Sequence, residues 1–463
     1  MGDGRAADTP PPDVHHGTGG VDPRGPPART CPDTGDLRAH ARPDTRTVAL
    51  LGGVAEPGGA ARRAPRADHC HHPRADHPRT DRHRPAPRAC LDRHPDAHAQ
   101  GEGPADAHAQ ADEDQVSPDQ PPFPDRLRAH FADEGHLYGV LLAAMADDWE
   151  RGGVSRELFE GWEDVPARQF PQLRLLAGLF RIVLRGEAPQ LVRYYPALGG
   201  DADPGDAWAD VRPVLLAHRS ELRDSLAEAP QTNEPGRAAA LLVGLTEALR
   251  RTGLRRVRLL EPGASAGLNL LVDHYRLVGE DWAAGPESSP LVIEGCGAPG
   301  LRPVAFTVLE RRGCDVAPVD AATVEGARYL TSFVWPWMTA RHARLAAALD
   351  VVRAHPVTVD RARGASWVDE QLAAAPADDV LTVVWNSVTR LYWPAEESRA
   401  LESAVARART RMPLVHVGME HPRPVDGSEP VPRPGDDVVP EVELDGEVLA
   451  TCGHHGPPVR WLR

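Results

Sequence analysis

Lysine is absent from the chain: all 52 basic residues among its 463 are arginine. That excludes a lysine Schiff base and the lysine of a phosphate-binding loop. No run of about 18 apolar residues occurs, so no membrane span is expected. The N-terminus lacks a basic segment leading into an apolar one, so no secretory signal is expected. Cysteine is scarce, at six residues, and three of them stand before residue 122. A disulfide framework is therefore excluded, and the cytoplasm is the expected location. Basic charge is not in excess either. The net charge of −15 argues against a nucleic-acid backbone as partner. The length allows two or three domains.

Aromatic residues are missing from the first quarter of the sequence. Residues 1–122 contain no Phe, Tyr, Trp or Ile, yet hold 11 of the 21 histidines and are dense in Pro, Asp, Arg and Gly. Such a segment buries too little apolar area to offset its chain entropy, so disorder is expected. It carries imperfect repeats: PRADH from 65 and from 73, and DAHAQ from 96 and from 106. His69, Cys70, His71 and His72 adjoin, but no second ligand pair stands at zinc spacing. They read as low-complexity sequence, and no metal site is expected.

Ordered structure is expected from Phe123. Residues 123–252 read as amphipathic helices forming a helical region or lid. They include DRLRAHFADEGHLYGVLLAAMADDWE, FPQLRLLAGLFRIVLRG with Gly186 as a stop, WADVRPVLLAHRSELRDSLAEA, and a helix opening at Pro235 and capped by Gly253. YYPALGG (194–200) reads as a turn. From 253 to the end, short apolar runs alternate with helical ones. VRLLE (257–261), HPVTVD (355–360), LTVVWNS and PLVHVGME (413–420) read as strands. SAGLNLLVDHYRL, VEGARYLTSFVWP, TARHARLAAALDVVRAH, SWVDEQLAAAP and PAEESRALESAVARART read as helices. LVIEG and VAFTVLE read as strands of an insertion at about 277–310. EVELDGEVLATCG reads as a hairpin turning at Asp-Gly. The expected fold class is α/β: a doubly wound, mostly parallel sheet with an antiparallel edge hairpin, preceded by a helical region.

In such a sheet ligands bind beyond the carboxyl ends of the strands, at the switch point. The first strand ends there in LLEPGASAGLNLL (259–271). A dinucleotide turn, G-x-G-x-x-G from Gly263, requires glycine at 265 and 268, where Ser265 and Leu268 stand. That disfavours a nicotinamide enzyme. The template acid-x-Gly-x-small-x-Gly is filled throughout by Glu261, Gly263, Ser265 and Gly267. An acid at this tip suits a ligand with a cationic amine rather than a diphosphate. S-Adenosylmethionine carries such an amine, and the turn resembles the first motif of class I methyltransferases. Asn269 continues this candidate cofactor site. Asp315, 54 residues beyond Glu261, stands where a second strand ends and an acid can hold ribose hydroxyls. Asp360, ending VTVD, is placed for an adenine amine. Asn386 and Ser387 after Trp385 fall where a methyl acceptor would be positioned, and His416 and Glu420 are candidate bases on the next strand. Upstream, QTNEPGR brings Gln231, Asn233, Glu234 and Arg237 together as candidate substrate or lid residues.

Each residue has a plainer alternative. Glu261 can cap a helix or pair with an arginine; Asp315 and Asp360 can be ordinary loop acids. Trp385 can be packing, and Asn386 can satisfy loop backbone. Gly263 and Gly267 can serve strand–helix packing. QTNEP can be a helix start.

Together QTNEPGRAAALL, LLEPGASAGLNLLVDHYR, RRGCDVAPVDA, FVWPWMTARHARLAAAL and YYPALGG resemble the DUF2332 family, bacterial proteins of uncharacterised function common in actinobacteria. The likeness runs from about 125 to 463; residues 1–122 have no counterpart. It implies a methyltransferase-like Rossmann fold and leaves the reaction open. Pro262 inside the turn and Trp337 after the Trp-Pro pair depart from the pattern, and Pro262 removes a backbone donor near the ligand. The resulting expectation is an S-adenosylmethionine-dependent methyltransferase acting on an unknown small-molecule acceptor. Its alternative is a non-catalytic nucleotide- or metabolite-binding protein of the same fold. Catalysis would rest on proximity and alignment.

Overall fold

The computed structural model describes residues 120–131, 135–166, 169–374, 376–422 and 439–462. The repeats, the histidine–cysteine cluster and nearly all of the segment expected to be disordered lie outside the described residues. Helices follow from Phe123 as expected: α1 (Phe123–Ala129), α2 (Leu137–Glu150), α3 (Val154–Leu158), α4 (Pro171–Leu184), α5 (Ala207–Ala217), α6 (Arg219–Leu226) and α7 (Ala238–Thr252). Two expected helices are divided. α1 and α2 are separated where Phe131 and Gly135 take positive φ, and α5 and α6 by His218. Gly186 and Gly253 stop α4 and α7 with φ of 78° and 74°, the left-handed conformation that glycine adopts without a Cβ penalty. α1 to α6 enclose their own apolar core around Leu141, Met145, Phe159 and Phe180.

α7 packs elsewhere. Its buried face joins the core of the sheet, and a Cβ on Gly244 would lie 2.4 Å from Val417. Glycine is what allows this helix to approach the strand so closely.

Among the described residues the main sheet has eight strands. β1 (Arg256–Pro262), β5 (Thr307–Asp315), β6 (Thr358–Arg361), β7 (Val380–Ser387) and β8 (Leu414–Glu420) are parallel, in the order β6-β5-β1-β7-β8. β9 (Glu441–Leu444), β10 (Glu447–Gly453) and β11 (Gly456–Trp461) extend it antiparallel beyond β8. The intervening β2 (Arg276–Val278), β3 (Ala283–Ala284) and β4 (Val292–Ile293) form a separate small sheet. Strand alternation divides the apolar residues between two faces. Leu259, Val383 and Val417 meet α7, α8 (Val324–Ser332) and α9 (Thr339–Ala354). Leu260, Val384 and Leu414 meet α10 (Gly364–Leu372) and α11 (Ala395–Arg409). Covering on both faces explains why β7 reads as a nearly continuous apolar run.

Three elements differ from expectation. The helix expected from Ser265 is a short 3-10 helix, Leu268–His274. Five consecutive residues there, 268–272, are buried, so the apolar run does not define one helical face. The stretch 304–310, expected within the insertion, enters β5, which pairs with β1 over its length. Finally, the edge carries three antiparallel strands rather than a hairpin. The Asp445–Gly446 turn between β9 and β10 has φ of 55° and 85°, as a two-residue type I′ turn requires.

Candidate functional site

All five parallel strands deliver their carboxyl ends to one edge, where Pro262 pairs with Cys314 and Ser387 with Met419. β5 and β7 flank β1 there on opposite sides, which is the switch point. Glu261 lies at this tip with 2% of its surface exposed, on the face of β1 covered by α7. Trp385 Nε1 donates to its Oε1 at 3.1 Å. Its Oε2 is buried without a hydrogen-bond partner. Burial pushes the carboxyl up to about 8, against the Trp385 hydrogen bond and the charge of Arg237. Glu261 is therefore mostly protonated at neutral pH. Ser265 Oγ and Asn269 Oδ1 are also buried without partners. Three orphaned oxygens in nine residues are unusual, because buried polar atoms are nearly always paired.

The turn itself is knitted to its own chain. The amides of Gly263 and Ala264 donate to Cys314 O at 2.8 and 2.9 Å, and Gly267 N donates to Ala264 O at 2.7 Å. Ser265 N donates to Asp315 Oδ2 at 2.9 Å, and Leu268 N to Asn233 Oδ1 at 2.8 Å. Gly263, Ser265 and Gly267 all have positive φ. A Cβ on Gly263 would meet Thr389 Cγ2 at 2.5 Å, and one on Gly267 would meet Val357 at 2.9 Å. The close approach that glycine permits is thus used by neighbouring side chains.

The other acids are similarly engaged. Asp315 accepts Ala317 N on Oδ1 at 2.9 Å as well as Ser265 N. Asp360 Oδ2 accepts from Arg312 and from Trp367 Nε1, each at 2.7 Å. Asn386, His416 and Glu420 do come together. Asn386 Nδ2 donates to Glu420 Oε1 at 2.6 Å, and its Oδ1 lies 2.6 Å from His416 Nε2. Glu420 also accepts Thr389 N, Thr389 Oγ1 and Arg390 N. Burial raises its carboxyl. Ser387 is buried, and its carbonyl accepts from Arg237.

In the upstream turn, Gln231 approaches Ala317 O at 3.5 Å. Glu234 accepts Gly236 N and ion-pairs with Arg341 at 2.6 Å and Arg344 at 2.8 Å. Burial works to raise its carboxyl, but the two arginines outweigh it and hold it below the usual range. Arg237 is different. Its Nη1 reaches Ser387 O at 3.2 Å and its Nε reaches His454 O at 3.3 Å, and no described carboxylate pairs with it. Burial lowers its basicity.

The sequence pattern did not single out three histidines around Arg237. His421 Nε2 lies 3.1 Å from His454 Nδ1. His421 and His455 each have a buried Nδ1 without a partner, and burial holds them neutral, at about 4 and about 3. The adjacent pair 454–455 and a histidine directly after a strand-ending acid were the available clues. Among the described residues, metal-like geometry occurs at Glu187, His218 and Glu221. Arg185 already pairs with both glutamates.

The stretches singled out from the sequence converge here. Ala197 N of the YYPALGG turn donates to Pro336 O at 2.9 Å. Arg341 of the TARHAR helix then holds Glu234, Asn233 holds Leu268, and Ser265 holds Asp315. A family model described as an uncharacterised protein conserved in bacteria, DUF2332, matches residues 123–461. The chain belongs to the DUF2332 family. No curated protein and no solved structure matches it. The DUF2332 match begins at the first residue of α1 and ends in β11, so it spans the helices and the sheet alike. No helix among the described residues of this DUF2332 chain is long and apolar enough to cross a membrane.

Proposed function

We propose that the protein binds a small molecule through an α-amino-acid group at the carboxyl ends of β1 and β7, S-adenosylmethionine being the ligand that the family resemblance implies. One observation carries this reading: Glu261 has a buried oxygen without a partner, while nearby Arg237 has no carboxylate partner among the described residues. An ammonium group would complete the first and a carboxylate the second, as charge-assisted hydrogen bonds. Asn269 Oδ1 and Ser265 Oγ add polar atoms without partners at the same turn.

The fit is confined to the amino-acid end. Asp315 and Asp360, the residues for ribose and adenine, already accept hydrogen bonds within the chain. Methyl transfer to an unidentified acceptor is the reaction such a ligand would serve. A non-catalytic binding role is the second reading, and the mutual engagement of Asn386, His416 and Glu420 favours it. In either case the helices before α7 and the insertion after the turn would form the lid.

Thermal shift tests the binding. A ligand at a hundredfold excess over its Kd stabilises by about 2.7 kcal/mol, which moves a domain of this size by several degrees. S-Adenosylmethionine and its demethylated product should raise the midpoint, and NAD should not. No shift with the first two contradicts the reading. Transfer of a labelled methyl group to a metabolite extract separates the enzyme from the non-catalytic binder.

A further inference from the structure

A hollow of about 190 Å³ is lined by none of the residues of the β1 tip. Its walls are Ala197 and Leu198 of the YYPALGG turn, Val324 and Ala327 of α8, and Ala346 and Leu349 of α9. Val324 is 58% exposed and marks the open side. His342 closes part of the wall. It is 5% exposed, stands 3.2 Å from Trp335 O, and is held neutral by burial. The walls are thus mostly apolar; Thr331 adds a hydroxyl, which donates to Ala327 O at 2.7 Å.

Two arginines line the same hollow, Arg328 from α8 and Arg353 from α9. Each pairs through one Nη1 with an acid three residues earlier on its own helix, Glu325 at 2.7 Å and Asp350 at 2.9 Å. Those acids are 77% and 52% exposed. Such surface pairs are worth roughly 0–1 kcal/mol and exchange readily. Arg328 Nε is buried with no hydrogen-bond partner at all, which leaves a desolvated donor uncompensated.

From these features we infer a second ligand site, taking a compact apolar molecule that ends in a carboxylate. Size sets the apolar part. The hollow slightly exceeds the roughly 150 Å³ apolar cavity that accommodates benzene and is open at Val324, so it takes one ring or a short alkyl chain. Charge sets the head group: Arg328 and Arg353 both line the hollow, and a guanidinium fork matches a carboxylate in two hydrogen bonds. A neutral head group would leave that match unmade. This site stands independently of the reading at Glu261.

Calorimetric titration of the full chain with octanoate, and with octanamide as its neutral counterpart, tests the inference. Octanoate should bind saturably at one per chain, and octanamide at least tenfold more weakly. Arg328→Gln should weaken octanoate at least tenfold while leaving octanamide unchanged. Ala346→Phe, which fills the hollow, should abolish both. The inference is overturned by an absence of saturable binding, by equal affinity for the two probes, or by folded Ala346→Phe binding as tightly as the parent. If Ala346→Phe does not fold, the octanamide comparison and Arg328→Gln still decide.

Discussion

Replacing Glu261 by glutamine should flatten the dependence of stability on pH. The carboxyl titrates at about 8 in the folded chain against an ordinary 4.5, chiefly because it is buried. Between those two values the folded state holds a proton that the unfolded state has released. Stability from this group is therefore fully present below pH 4.5 and is lost as pH rises towards 8. The slope is about 1.4 kcal/mol per pH unit, and the whole window amounts to about 5 kcal/mol. Glutamine matches the protonated acid in shape and can still accept from Trp385, but it does not titrate. Urea unfolding of both proteins at pH 5, 6.5 and 8 measures the effect. Groups common to both chains cancel in the difference. The variant should gain on the parent by about 3.5 kcal/mol from pH 5 to pH 8. A difference that does not change with pH would refute the burial of an ionisable carboxyl at this tip.

Further substitutions test the packing and the ion pairs around it. Gly263→Ala should cost about 1–3 kcal/mol more than Gly253→Ala. Both positions have positive φ, but only the first has an atom, Thr389 Cγ2, within 2.5 Å of the new methyl group; equal losses in urea would deny the contact. Glu234→Gln should destabilise by about 3–5 kcal/mol, because Arg341 and Arg344 lose a common buried partner. Thermal unfolding unchanged by this substitution would sink that assignment. Glu420→Gln should cost about 1–3 kcal/mol, since an amide cannot accept on both atoms from Asn386, Thr389 and Arg390. Hydrogen exchange at the Thr389 and Arg390 amides should accelerate with it, and unaltered protection there would contradict the network.

Much of the frame was legible in the sequence because single physical rules dominate it. β7 and β8 sit under helices on both faces, so their apolar runs are nearly continuous. Asp445–Gly446 specifies its own turn, and Gly186 and Gly253 mark helix ends. β5 was divided at Glu310–Arg312, where charge interrupts the pattern. Long-range pairs absorb that charge: Arg258 meets Glu310 at 2.9 Å, and Arg311 meets Asp273 at 2.7 Å. β11 was missed because Pro457 and Pro458 argue against a strand. It is the edge strand, where a missing amide donor costs least. At the site, the sequence placed Glu261 at a strand tip and offered Asn386, His416 and Glu420 separately; their mutual hydrogen bonds appear only in the fold. It did not reveal that the turn's amides and glycines face Cys314, Asp315 and Thr389, because those partners lie more than 40 residues away in the chain. The same distance hid the histidines around Arg237.

The central claim is that Glu261 and Arg237 receive an amino-acid group, and proton counting tests it most directly. Glu261 titrates at about 8, so at pH 7 it enters the complex mostly protonated and must ionise to hold an ammonium ion. Titration calorimetry with the demethylated product of S-adenosylmethionine, run in buffers of different ionisation enthalpy, reads the protons exchanged. The account predicts release of close to one proton per ligand at pH 7, with little release from Glu261→Gln and at least tenfold weaker binding to Arg237→Gln. Binding without proton release, equally tight in both variants, would place the ligand elsewhere.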